Sequence, residues 1–480
     1  MTHLAGSDLA LTRGLHSQSR DPIDSSGLGS WILAAWAGAA MAVLFPAALV
    51  LLTPSTASSV WWLSLIVTTL SALRWAWIVA EGRRRLFEMS FWVFTYVFLG
   101  VAPLVQMRSG INPQTTPRLD ADLQQAAMVV VIVGLAAFVV GLSFTAPTHR
   151  KLFRGRYVHD GADLTRTVLL AFVALLSAVF YIGKIGLGTL FSTRDEAVIA
   201  VAAAWPESSV AALISGFTVM TLLVSFIALV NAIRETRSRD WPLVALCVCV
   251  GVVLAVVANP ITSPRYVFGT AALAVAALFG LFATPRLFRT TAILWVVALI
   301  GLFPLADAFR YSSEGEIKAG SVVESLTSAD FDAFAQINNT LLYVDRHGFT
   351  DGEQAVGVLL FWVPRGIWPD KPRDTGILLA ASRSYSFQNL SAPLWSELYV
   401  NAGWPLLILG MILAGALVRK LDGRIEESLQ RARAPGILAC VMPFYLVILL
   451  RGSLLQAMSY LTVILACTAF VARWRKVDAR

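Results

Sequence analysis

The sequence predicts an all-α polytopic membrane protein of about twelve transmembrane helices, eleven at the fewest and fourteen at the most. Three observations predict it. Hydrophobic residues form 57% and charged residues only 14% of the 480 positions, and the mean hydropathy is +0.69, well outside the range of a soluble domain. Apolar runs of roughly the 20 residues needed to cross a ~30 Å hydrocarbon core recur along the chain. Lysine and arginine fall in every second connection between those runs, the signature of positively charged loops held on the cytoplasmic side.

The spans read in order as 31–52, 60–80, 91–105, 126–144, 167–182, 210–233, 242–257, 266–283, 291–305, 394–418, 436–450 and 453–472. The chain divides into a tail at 1–29, a single transmembrane domain at 30–473 and a short tail at 474–480. The first span follows a polar stretch of mixed charge and is too long for a signal-peptide core, so it reads as a retained helix. Arg83, Arg84 and Arg85 mark the first basic connection, and Arg150, Lys151, Arg154, Arg156 and Arg166 the second. Arg234, Arg237 and Arg239, then Arg286 and Arg289, then Arg419, Lys420, Arg424, Arg431 and Arg433 continue the alternation, which Arg473, Arg475 and Lys476 close. Both termini are therefore expected in the cytoplasm. The net charge of +8 reflects topology and contact with anionic lipid, and nucleic acid is not expected as a partner. Cys247, Cys249, Cys440 and Cys467 all lie in apolar spans, and no histidine pair has ligand spacing. Neither a disulfide framework, a bound metal nor a cofactor is expected.

The connection 306–393, between the ninth and tenth spans, is the long outer loop, and loops of that size are usually functional. Ser328 or Asp330 can cap a helix in which Phe331, Phe334, Ile337, Leu341 and Leu342 recur at helical spacing before Gly348 ends it. An amphipathic helix resting on the membrane surface is expected there. The run 355–363 is too short to span and stops at Pro364, beside Trp362 and Trp368, at the level of the interface. It leads into FWVPRGIWPDKPRDTG, residues 361–376, whose prolines stiffen a loop that presents Arg365, Lys371 and Arg373 to the outer headgroups. Arg265, Arg310 and Arg451 sit at the outer ends of other spans. Charge at that depth marks a substrate path unless each side chain snorkels or pairs with a neighbour such as Asp307. Several guanidinium forks converging on one outer cavity suit a diphosphate, whose oxygens they bind in pairs.

The segment VPRGIWPDKP, followed by SELYVNAGW at the start of the next span, resembles the Wzy-type O-antigen polymerases, the oligosaccharide repeat-unit polymerases of bacterial cell surfaces. The resemblance covers 259–404; elsewhere only hydropathy matches. It implies a multi-pass enzyme of the bacterial cytoplasmic membrane whose donor is a glycan on polyprenyl diphosphate and whose acceptor is a lipid-linked repeat unit. A chain-length regulator is an implied partner. It implies Arg365 and Lys371 as groups that hold the departing diphosphate, with Arg265, Arg310 and Arg451 beside them, and Glu397 or Asp307 as the base, without metal. A ligase that moves finished glycan to another acceptor fits the same pattern. The strings Asp120–Ala121–Asp122 and Asp330–Phe331–Asp332 would instead suit a metal-dependent transferase using a polyprenyl-phosphate sugar, although capping explains their place at helix starts. A flippase for the lipid-linked glycan would bring inverted repeats and broken helices, and the sequence reads as having neither. His347 and the Asp345–Arg346 pair read as solvated surface.

Overall fold

The computed structural model describes residues 28–53, 58–144, 157–206, 208–236, 240–297, 322–431 and 435–476, and these are nearly all helical. The helices are α1 (Leu28–Leu52), α2 (Trp62–Glu81), α3 (Leu86–Ser109), α4 (Gln124–Ser143), α5 (Leu164–Ile185), α6 (Arg194–Ala204), α7 (Ser208–Glu235) and α8 (Trp241–Val257). They continue as α9 (Arg265–Leu278), α10 (Pro285–Val297), α11 (Ala333–His347), α12 (Glu353–Leu359), α13 (Thr375–Ser382), α14 (Leu394–Arg431), α15 (Ile437–Arg451) and α16 (Leu454–Val471). Among the described residues eight helices are long and apolar enough to cross a membrane: α1 to α5, α7, α14 and α16. Three shorter apolar helices, α8, α9 and α15, stand beside them. The chain is thus a multi-pass, essentially all-α membrane protein.

Local chemistry sets where the helices begin. Thr193 and Glu196 form a reciprocal capping box at α6, Asp163 accepts from Arg166 N–H at α5, and Asp240 precedes a proline in the first turn of α8. The third span is longer than the apolar run suggests because its first turn is capped from afar. Asp422 of α14 accepts from the N–H groups of Phe87 and Glu88, both at 2.9 Å. Leu51 at 87% exposure and Leu176 at 69% show the outward faces of α1 and α5, the surface a bilayer would cover. The apolar window of α3 is instead buried on every side, which makes it the centre of the bundle.

Helices α4 and α14 pack backbone against backbone. A methyl group at Gly141 would lie 2.1 Å from the carbonyl oxygen of Ile412, and one at Gly415 2.2 Å from that of Phe138. Small residues let the two backbones touch. Gly134 leaves room for the Trp395 ring, whose Nε1 donates to Val131 O at 3.2 Å.

Several expectations need correction. Two arginines of the first basic connection are not free for lipid: Arg84 is buried against Glu426, and Arg85 reaches Glu81 and Glu88. Arg74 also pairs with Glu88, at 2.7 Å, and Arg289 donates to the carbonyls of Val79 and Ala80. The fold holds one strand pair as well, because Tyr157–Ala162 runs antiparallel to Ala472–Lys476. The segment read as the C-terminal tail, 474–480, begins in that ribbon. Helix α11 does not lie on the membrane surface: residues 331–340 are all buried, and it packs against α4 and α14. Gly348 does end it, with φ 81°. Helix α14 is broken, since Ala402 and Gly403 leave helical geometry and Gly403 takes φ 66°; the reading of unbroken spans fails there.

The close α4–α14 contact yields a test. Gly141→Ala should lower the thermal midpoint in detergent by an amount equivalent to about 1–3 kcal/mol, because the added methyl meets backbone that cannot step aside. Gly183→Ala, in α5 with nothing within 4 Å of the new methyl, should be neutral or slightly stabilising. Equal midpoints for the two variants would show that the helices separate readily.

Candidate functional site

Two arginines from different apolar helices meet one short acidic string. Arg265 is the first residue of α9, placed there by Pro264 at the N-cap, and Arg451 ends α15. Arg265 Nη1 lies 3.2 Å from Asp330 Oδ2, and Arg451 Nη2 lies 3.3 Å from Asp332 Oδ1. Arg451 also donates from Nε to the Asp330 carbonyl at 3.0 Å. Both guanidinium side chains are largely covered, 11% and 16% exposed, and the Asp332 carboxylate is 2% exposed. Its second oxygen accepts from Ser391 N–H at 3.2 Å and from Gln336 Nε2 at 3.3 Å.

More groups face this point from neighbouring elements. The phenol of Tyr266 lies in the fields of Arg451, Arg194 and Asp330, and Arg194 at the start of α6 donates to the Thr262 carbonyl. Arg451 bonds through Nε and Nη2, so Nη1 of its fork has no protein partner among the described residues. An anion here would meet planar donors in a site of low water content, where such contacts are strongest.

The other predicted residues stand differently. Arg365 is exposed and donates to its own loop, to Lys371 O at 2.6 Å and Pro372 O at 3.2 Å. Lys371 donates to the carbonyls of Phe361 and Val363; burial first, and then the charge of Arg365, holds its pKa below the usual lysine value. The two cations staple the proline-rich loop shut. Pro372 and Leu455 both flank Gly357 of α12, so that loop and the start of α16 meet at the same helix. Asp307 and Arg310 lie outside the described residues.

Glu397 is buried with both oxygens engaged. Oε2 accepts from Thr375 Oγ1 and Oε1 from Leu454 N–H, each at 3.0 Å. It therefore caps α16 and ties α14 to the turn that carries Arg451. Asp374 lies in the same electrostatic neighbourhood, and burial raises its pKa above the ordinary carboxylate value.

The capping account of both D-x-D strings also changes. Asp332 is the N-cap of α11 but makes no side-chain cap; its carboxylate holds Arg451 instead. Asp120 accepts from Asp122 N–H at 3.2 Å in the turn before α4. Among the described residues no group of three or more His, Cys, Asp or Glu stands together as a metal site would. His347 is exposed and stacks on Tyr343, with ring centroids 4.8 Å apart.

Sequence reasoning missed the acidic partners of Arg265 and Arg451, and it missed the polar side of α11. Gln336, Asn338, Asn339 and Thr340 are all buried. Their succession in an otherwise apolar helix was the available signal. Compared with protein-family models, curated proteins and solved structures, the chain matches none.

The ion pair yields a double-mutant test. Asp332→Ala should destabilise the protein by about 3 kcal/mol or more, because it strands a covered guanidinium. Combining it with Arg451→Leu should recover much of that loss. A double variant as unstable as the sum of the singles would show that the pair is not coupled.

Proposed function

We propose that this protein is a glycan polymerase of the bacterial cytoplasmic membrane, with about twelve spans, cytoplasmic termini and the 306–393 connection outside. One observation carries the reading: Arg265 and Arg451, two cations expected to hold a diphosphate, converge on Asp330–Phe331–Asp332 in that connection. The acceptor sugar's hydroxyl oxygen attacks the anomeric carbon of the donor glycan. The bond from that carbon to the diphosphate oxygen breaks, the polyprenyl diphosphate leaves with the electron pair, and the hydroxyl proton passes to a base. Arg265 and Arg451 neutralise the charge that grows on the leaving group. Arg365 and Lys371 act by fixing the loop beside them. Glu397 positions the Arg451 turn, which leaves Asp307 as the other candidate base. Arg310 stands as a further diphosphate ligand.

A carrier for the same lipid-linked glycan is the second reading, and the break of α14 at Ala402–Gly403 favours it. Removing the gene and sizing the surface glycan separates the two. Loss of long chains with single repeat units retained supports polymerisation, while lipid-linked units trapped inside the cell support transport.

Two further outcomes are expected. Arg265→Lys and Arg451→Lys should each slow elongation about a hundredfold at normal membrane abundance, because an ammonium lacks the planar fork, and wild-type elongation should persist in excess chelator. Arg373→Lys should leave chain length unchanged. Normal chains from both arginine variants, or activity restored only by magnesium or manganese, would remove this account. In a cysteine-free background, His347→Cys should react with an impermeant thiol reagent in intact cells and Gly423→Cys should not; the reverse labelling would invert the topology.

A further inference from the structure

The polar side of α11 leaves a group of buried oxygens with no donor to serve them. Their identity follows from their neighbours. Asp332 can only accept, so Gln336 turns Nε2 toward it and toward Thr116 Oγ1 at 2.7 Å. Gln336 Oε1 then accepts from Asn339 Nδ2 at 3.0 Å, and Asn339 Oδ1 is left over. Asn338 Nδ2 donates to the carbonyl of Asp120 at 2.8 Å, and Gln106 Nε2 to those of Leu326 and Phe331, both at 2.9 Å. Their amide oxygens are left over in the same way. Thr115 Oγ1, next to Thr116, and Ser391 Oγ, whose backbone N–H binds Asp332, complete the set. Among the described residues none of these five oxygens has a hydrogen-bond partner, and all five residues are buried.

One unmet buried acceptor costs about 1–3 kcal/mol, and several around one helix call for an occupant. Amide oxygens accept only, so the occupant must donate. An ionised phosphate offers mainly acceptors and does not fit. A sugar ring offers several hydroxyl donors. Asp332 joins this region to the arginines, holding Arg451 through Oδ1 and Gln336 through Oδ2. A sugar bonded directly to a diphosphate needs those two environments side by side.

We propose that Asn338 and Asn339, with Gln106, Thr115 and Ser391, form a subsite for the hydroxyl groups of a neutral sugar, adjoining the Arg265–Arg451 anion site. It rests on the glycan reading given above. The outer loop that supplies Thr115 and Thr116 covers the subsite and is clasped at the surface. Arg118 Nη2 donates to Arg383 O at 3.1 Å, and Arg383 Nη2 and the Tyr385 hydroxyl donate back to Arg118 O. All five oxygens are closed off from solvent, so a sugar reaches them only when this clasp opens.

The test uses the full-length protein in lipid nanodiscs and two probes. One is bare polyprenyl diphosphate; the other is polyprenyl-diphosphate-linked repeat unit extracted from cells that lack the gene. Thr115→Val and Ser391→Ala each delete a hydroxyl that has no hydrogen-bond partner among the described residues, so the doubly substituted protein should be as heat-stable as the wild type. It should bind the glycan-bearing lipid about tenfold more weakly and the bare lipid equally well. Asn339→Leu should show the same selectivity. Unchanged affinity for the glycan-bearing lipid, equal loss for both lipids, lower stability of the double variant, or binding that follows added calcium or sodium instead of glycan overturns the subsite. A wild type that prefers the glycan-bearing lipid while the double variant matches it overturns the subsite alone, whereas a wild type that binds neither lipid removes the glycan reading as well.

Discussion

The architecture depends on one constraint: an arginine drawn into an apolar bundle must find its counter-charge or its acceptors inside the protein. The chain answers it in two ways. Arg84, Arg85, Arg265 and Arg451 meet carboxylates. Arg108, Arg234 and Arg289 meet carbonyls at the ends of other helices: Arg108 donates to Val50 and Thr53, Arg234 to Leu278, and Arg289 to Val79 and Ala80. Each contact ties the end of one helix to another element. Hydrogen bonds thus fix the relative height of helices that apolar packing alone would leave free to slide, since lipid and side chains are equally apolar.

The all-helical, multi-pass character was legible because the bilayer imposes a length on a span, and eight of the described helices meet it. The run around Phe91 shows where this fails. Its helix begins at Leu86 because Asp422, far along the chain, caps it, and no local pattern announces a distant cap. The break in α14 was better signposted, as glycine and proline stand two apart in NAGWP, but a long apolar run on both sides hid it. Helix α11 was misplaced by a sound rule wrongly applied. Its apolar residues do share a face, yet Gln336, Asn338 and Asn339 turn to other protein groups and not to water, and periodicity cannot tell these apart.

The candidate site was partly legible for the same reason that it was partly misread. Arg265 and Arg451 stood out as charges at depth, and the structure brings them together. Arg365 stood out as strongly, but its fork lies on two carbonyls of its own loop. A conspicuous motif can serve shape as well as chemistry. The D-x-D string at 330–332 reads locally as a metal ligand or a cap, and no local pattern points to its partners, cations more than sixty residues before it and more than a hundred after.

That spacing bears on how the chain is made. Arg265 is synthesised before Asp330 exists, and Asp332 before Arg451, which arrives only with α15. Until the hairpin of α15 and α16 is in place, the bundle carries an Asp332 carboxylate with no Arg451 to pair it and a Glu397 carboxylate with no α16 N–H to accept from. The α15–α16 hairpin therefore completes the charge pairing of the bundle. A nascent chain that stalls before it presents unpaired charge within an apolar assembly, the kind of defect that membrane quality control can recognise and clear.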